Sequence, residues 1–466
     1  MNTDSGAAAK KSIVLVIATV TGFITPFLAA AVNIAIPTLR REFNMEAVVM
    51  TWVSTIFFLS VAVVQVPCGR LADIYGRRKL FIIGLLVTIG ASAVGALANS
   101  VPMLLIAMSL IGVGSGIMFN NSVSILTSVF PAASRGRVLG ISTAGTYVGL
   151  SMGPFLGGLL TRTFGWQSIF IFAGILNVVL LALVFYALKG EWREAEGEKF
   201  DAVGTATYAV SIVLFIYGFS RLPDVLGIIL FLVGVVGLVL FARWESRTVS
   251  PIFDVALFKE NRVFLFSNLA IFISYIATFA VSFLLSNYLQ DIKEMHPDDA
   301  GLVLITASVL MAVVTPLSGR LSDRIEPRLV ASVGMSLNCL ALLMLVFVNG
   351  ATPLWYIMVA LAVNGLGIGI FASPNTNAIM SSVPRKSLGV AAGTLGTMRT
   401  AGMMVSMGII MILFSLYIGR TEIQPQNYPQ FLESLRTGFI IFTALSVLGL
   451  LFQFIARSAA KPRSTS

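Results

Sequence analysis

Gly69-Arg-Leu-Ala-Asp73 returns 250 residues further along as Gly319-Arg-Leu-Ser-Asp323. Each copy has a proline shortly upstream, Pro67 and Pro316, and each runs on into basic residues. Each also follows the second long apolar run of its half of the chain. A five-residue match is weak by itself. Its equivalent placement in both halves makes it an internal repeat, and the rest of the chain is read outward from it.

The apolar runs come first. Fourteen are long enough to cross a membrane, near 13–36, 48–68, 80–98, 102–126, 137–160, 166–188, 203–220, 225–242, 263–289, 301–318, 329–348, 353–378, 389–417 and 437–456. A helix rises ~1.5 Å per residue, so ~20 apolar residues span the ~30 Å hydrocarbon core. The chain is 57% hydrophobic and 11% charged, against about 25% charged in a soluble domain. So few charges cannot cover a water-soluble fold of this length, whereas lipid solvates an apolar outer face directly. The turn Arg221-Leu-Pro-Asp224 separates the seventh and eighth runs. The first run continues to Pro37 and is too long for a signal peptide, so it is read as a span.

The net charge of +10 invites a nucleic-acid reading, but its distribution favours topology. With fourteen spans both termini share one side. That side holds 23 of the 31 Lys and Arg, the other side holds seven, and Arg399 lies inside a span. The positive-inside rule then puts both termini in the cytoplasm of a multi-pass plasma-membrane protein. No nucleic-acid partner is expected. Cys68 and Cys339 form neither a disulfide framework nor a zinc spacing. No Walker A sequence, dinucleotide fingerprint, metal cluster or nucleophile–base pair occurs, which argues against an ATP-driven pump and against an enzyme. No cofactor or metal is expected.

The repeat divides the chain into a six-helix bundle at 11–188, an insert of two cytoplasmic links and two extra helices at 189–262, and a second six-helix bundle at 263–457. The expected fold is all-α, with the bundles related by a pseudo-two-fold axis. Internal repeats are the signature of secondary transporters, which bind substrate near the midplane between the halves.

Gly69-Arg-Leu-Ala-Asp-Ile-Tyr-Gly-Arg-Arg-Lys79 resembles the loop 2–3 signature of the major facilitator superfamily. Gly145-Thr-Tyr-Val-Gly-Leu-Ser-Met-Gly-Pro-Phe-Leu-Gly-Gly158 resembles the fifth-helix motif of that family's antiporters. Val32–Pro37, Phe200–Gly204 and Pro251–Phe258 resemble its fourteen-helix drug:proton antiporter branch. The resemblance covers nearly the whole chain and implies export by alternating access. It departs from the branch at two places. Leu28 stands where the branch carries a first-helix Asp, and Met108, Ile111 and Gly112 stand where it carries the fourth-helix Arg and its Gln-Gly. Both missing groups belong to proton coupling.

The motifs suggest a gate. Gly69 and Gly76 are read as bracketing a tight turn. Asp73 is placed to meet the positive N-terminal end of a helix of the other half, with Gly319, Asp323 and Arg324 as its mirror. Arg77, Arg78 and Lys79 are read as headgroup anchors beside it. Gly145, Gly149, Gly153, Gly157 and Gly158 form a stripe that permits close helix approach. Pro154 allows a bend there, at an expected interface between the halves. The glycines Gly112–Gly116 and Gly365–Gly369 are read as packing.

Among polar residues inside spans, amides serve as interhelical glue as readily as substrate contacts. The resemblance makes the first, fourth and seventh helices cavity-lining. Asn33, Asn120, Tyr147, Asn268 and Tyr275 are the preferred cavity residues. Arg399 lies ~16 Å into its span, where a charge marks a functional site by default. A cavity or coupling role and structural hydrogen bonding to carbonyls are its two readings. All 21 Asp and Glu fall in loops or at span ends. Asp201, Asp254 and Asp291 are loop-edge acids, and His296 is read as solvated. Proton antiport is therefore open. The expected partners are a hydrophobic or amphipathic small molecule, neutral or anionic, together with membrane lipid, with protons as an open third, for a monomer. The alternatives are a lipid or lipid-linked-molecule transporter and a non-transporting membrane sensor.

Overall fold

The computed structural model describes residues 2–43, 47–222, 224–248, 251–253, 255–295, 297–418 and 425–458. The first bundle comprises α1 (Asn2–Phe43), α2 (Ala47–Tyr75), α3 (Arg77–Ala96), α4 (Val101–Val129), α5 (Arg135–Phe164) and α6 (Gln167–Ala187). The inserted pair is α7 (Ala202–Ser220) and α8 (Val225–Glu245), followed by a short helix, α9 (Val255–Glu260). The second bundle comprises α10 (Arg262–Asn287), α11 (Pro297–Ser322), α12 (Pro327–Val346), α13 (Leu354–Ser381), α14 (Leu388–Tyr417) and α15 (Tyr428–Ser458).

Helices dominate because a helix satisfies every backbone N–H and C=O within its own segment, which hydrocarbon requires. Among the described residues thirteen helices are long and apolar enough to cross a membrane, one fewer than the sequence suggests. The helix not among them is α5. Its 30 residues match its neighbours in length, but Gly, Ser and Thr occupy many places where they carry Leu, Ile or Val. Packing explains that composition, because α5 lies between α1 and α11.

Successive helices alternate in direction, so α2 and α11 end on one face of the bundle, where α5 and α14 begin. We call it the basic face, since Arg70, Arg77, Arg135 and Arg320 lie there. The repeat is visible in the packing. Gly112 approaches the carbonyl of Phe57 on α2, and Gly114 that of Gly84 on α3. In the second half Gly365 approaches Ala307 on α11, and Gly367 approaches Asn338 on α12. A Cβ at Gly112 would lie 2.5 Å from the Phe57 oxygen, and one at Gly367 2.6 Å from the Asn338 nitrogen. These glycines therefore set helix spacing.

The α7–α8 pair rests against α2 and α14. Tyr208 of α7 donates to the Ala62 carbonyl at 2.9 Å and lies 3.5 Å from Thr397, touching both halves. The motif Phe200–Gly204 has a local cause. Asp201 caps α7, accepting from the Gly204 N–H at 2.8 Å, and also accepts from the Trp244 indole at 2.8 Å. Gly204 leaves room for Glu245, which accepts from the Phe253 N–H at 3.0 Å. One acid thus caps a helix and ties α7 to α8. Asp201→Ala is expected to cost about 1 kcal/mol for the lost cap, read as a lower thermal-unfolding midpoint in detergent. Asp201→Asn should recover most of it, and an unchanged midpoint in the alanine variant would contradict the capping role.

Candidate functional site

Two carboxylates bridge the halves on the basic face. Asp73, in the last turn of α2, accepts from the backbone N–H groups of Gly389 (3.0 Å) and Val390 (3.3 Å) at the start of α14. Asp323, just beyond α11, accepts from those of Gly136 (2.6 Å) and Arg137 (2.8 Å) at the start of α5. Each carboxylate thus meets the unpaired donors and positive dipole end of a helix in the opposite half.

Backbone proximity makes these contacts reachable. A Cβ on Gly69 would lie 2.8 Å from the Gly389 carbonyl carbon, and a Cβ on Gly319 3.0 Å from that of Gly136. One turn deeper, Gly393 faces the Gln65 carbonyl and Gly140 that of Thr315, at 2.5 and 2.8 Å from a Cβ. Gln65 and Thr315 stand one repeat apart, as do Gly69 and Gly319, and Gly136 and Gly389 follow suit with an offset of 253.

The structure changes three expectations here. Gly69 lies inside α2 rather than in a turn. Only Gly76, at φ 113°, breaks the helix. The role of Gly69 is close approach to Gly389. Arg77 is not a headgroup anchor. It is fully buried, donating to Asp73 Oδ1 from Nη2 (2.7 Å) and Nε (3.1 Å), to Ser128, and to the Arg385 carbonyl (3.0 Å). The turn at Gly76 brings it back onto Asp73. Arg324 does not mirror it and is exposed. The residue four beyond Asp323 is Pro327, so the second clamp lacks the arginine of the first.

The link after α6 straps the first clamp. Glu191 accepts from the Arg78 and Lys79 N–H groups at 2.8 and 3.2 Å, supplying a side-chain acceptor at the start of α3. The Ala195 N–H donates to the Asp73 carbonyl at 3.0 Å, and Glu198 pairs with Arg70. Arg78 also lies over the Phe185 ring. These acids read from sequence only as a charged link.

The glycine stripe of α5 serves one half rather than the seam. Gly145, Gly149, Gly153 and Gly157 face Thr19, Phe23, Ala30 and Ala31 of α1, and Gly158 faces Ile34. The α5 glycines at the seam are Gly136 and Gly140. The Pro154 side chain, Asp254 and His296 lie outside the described residues.

Deeper between the halves lies Arg399 of α14, buried to 7% exposure. Its Nη2 donates to Thr376 on α13 at 3.0 Å. Its guanidinium carbon lies 5.9 Å from the ring centre of Phe119 on α4 and 5.7 Å from that of Tyr275 on α10. Tyr147 of α5 lies against Tyr275 and near Arg399, its hydroxyl making no hydrogen bond of ordinary length and angle. Three of the six cavity residues picked from sequence therefore meet. The other three make their contacts elsewhere. Asn120 donates to the Gln65 carbonyl at 2.9 Å, Asn268 donates back to Phe264 on its own helix at 2.9 Å, and the exposed Asn33 bonds Ser54. A four-apart amide bonds its own helix as easily as a ligand. Sequence alone therefore could not sort them, and it gave no sign of Phe119 or Thr376. Among the described residues no group of His, Cys, Asp and Glu is arranged to hold a metal ion.

Two helical bundles joined by reciprocal clamps, with an inserted helix pair, describe a membrane transporter of the facilitator type. The chain belongs to the major facilitator superfamily, whose model matches residues 18–244 and 268–466. It is 28% identical over 393 residues to the riboflavin transporter RibZ of Clostridioides difficile (strain 630), covering 84% of this chain and 85% of that one. It is 29% identical over 420 residues to the multidrug resistance protein Stp of Mycobacterium tuberculosis (strain ATCC 25618 / H37Rv), covering 88% and 78%. The crystal structure of the human organic anion transporter MFSD10 (TETRAN) shares the fold at TM-score 0.68 and 14% identity, over 95% of this chain and 99% of that one.

Proposed function

We propose that this protein exports hydrophobic or amphipathic small molecules by alternating access, as a monomer in the plasma membrane with both termini in the cytoplasm. The observation that carries this reading is the pair of carboxylate clamps that close one face across the seam. Each rests on backbone donors of the opposite half, so each can break as a unit when that half rocks away. A drug-resistance relative and a vitamin transporter at similar identity support a small organic cargo. The positive-inside bias supports the basic face as the cytoplasmic one. Membrane lipid surrounds the bundles, and no cofactor enters the cycle.

Proton antiport is the finer part of the reading. Leu28 and Met108 occupy the places of the branch's charged groups, and both are buried among apolar side chains. Reconstitution into liposomes tests both parts. Uptake of a neutral amphipathic dye that Asp73→Asn abolishes is the expected result, and no uptake by the intact protein under any gradient would sink the exporter. Uptake that ignores an imposed pH gradient would sink the antiport.

A further inference from the structure

We propose that Arg399 and Tyr147 together hold the anionic group of an aromatic small-molecule substrate, bridging the two halves. This rests on the transport reading and names the substrate class.

The argument starts from what the cation lacks. A guanidinium carries five N–H donors. Here one nitrogen donates to the Thr376 hydroxyl, and Nε is buried with no acceptor. Among the described residues no carboxylate pairs with it. An arginine kept for structure spends its donors on carbonyls, as Arg77 does on Arg385. Among the described residues Arg399 makes no such bond. Two aromatic faces stabilise the charge but do not neutralise it. A buried cation without a counter-ion is costly within a membrane protein, so the missing component is an anion.

The second donor comes from the other half. Tyr147 is 5% exposed, and its buried hydroxyl lies against Tyr275 and near Arg399 without a hydrogen bond of ordinary length and angle. A buried hydroxyl left unbonded carries a desolvation penalty that an acceptor would remove. Two unsatisfied donors, one on α5 and one on α14, thus meet beside two rings. The aromatic faces come one from each half as well, Phe119 on α4 and Tyr275 on α10, and both are half-buried. An oxyanion that accepts from Arg399 Nε and Tyr147 Oη, on a flat body lying against these rings, satisfies all four groups. A lipophilic cation satisfies none of the donors and is repelled.

Equilibrium binding tests this apart from transport. Purified protein in phosphatidylcholine nanodiscs is titrated calorimetrically with 2-naphthoate and with neutral 2-naphthamide. Naphthoate is expected to bind at least about tenfold more tightly, as a charge-assisted pair of bonds implies. Arg399→Gln should erase that preference, Arg399→Lys should keep part of it, and Tyr147→Phe should weaken naphthoate alone. Arg399→Lys also shows whether a loss in Arg399→Gln reflects charge or misfolding. Equal binding of the two probes, or a preference that survives Arg399→Gln, overturns the site. Displacement of naphthoate by added phosphatidylglycerol also overturns it, because the anion held would then be a lipid headgroup. Dye uptake by the same preparation judges the exporter reading independently.

Discussion

Arg77→Ala is expected to destabilise the protein by about 3 kcal/mol, the low end for breaking a buried ion pair by removing one partner. Asp73 and Arg77 are both fully buried, so truncation strands a carboxylate away from water. The Gly389 and Val390 N–H groups remain bonded to it, which keeps the cost from rising further. The loss also removes bonds to Ser128 and to the Arg385 carbonyl, so the seam itself loosens. Thermal unfolding in detergent reads the stability. In the double variant Asp73→Leu/Arg77→Met, the cost should fall below the sum of the single variants, since neither charge is then left alone. A melting midpoint unmoved by Arg77→Ala would refute the buried pair. Removing the arginine beside the second clamp, Arg324→Ala, should be nearly silent, because Arg324 is exposed.

Gly69→Val is the second large effect, and it acts by shape. Its Cβ would lie 2.8 Å from the Gly389 carbonyl carbon and 3.0 Å from Asn120 Nδ2, and backbone cannot swing aside as a side chain can. Overpacking of this kind costs about 1–3 kcal/mol. The strain against Gly389 is present only when the basic face is closed. The halves therefore part, and the closed-to-open ratio drops by about tenfold for each 1.4 kcal/mol. Ser124, buried and 3.3 Å from the Leu388 carbonyl across the seam, supplies the reporter. Ser124→Cys in a background lacking Cys68 and Cys339 should react with maleimide about tenfold faster when Gly69→Val is added, by the same relation. Equal labelling would mean that the two glycines do not hold the face shut. Gly319→Val, against Gly136, should open the other side of the seam.

Sequence alone determined what depends on the solvent and on symmetry. Hydrocarbon demands long apolar helices, so the spans were legible from composition. The repeat at Gly69 and Gly319 marked two related halves, and the charge bias predicts their orientation. It also located Asp73 and Arg399, because a charge at either place is expensive enough to need a reason. The shortfall at α5 came from glycine, serine and threonine, which lower hydropathy without shortening a helix.

What partners those residues have was decided only by the tertiary structure. Arg77 reads as one of three surface cations until the Gly76 turn folds it onto Asp73. Gly389 and Gly136 become clamp residues only when the other half lies against them. The α5 glycines face α1 because of helix rotation, which glycine spacing does not reveal. Tyr147, Tyr275, Thr376 and Phe119 come from four helices and meet Arg399 only in three dimensions. A sequence records which groups are costly to bury, whereas packing between distant segments decides which of those costs are met and which are left for a ligand.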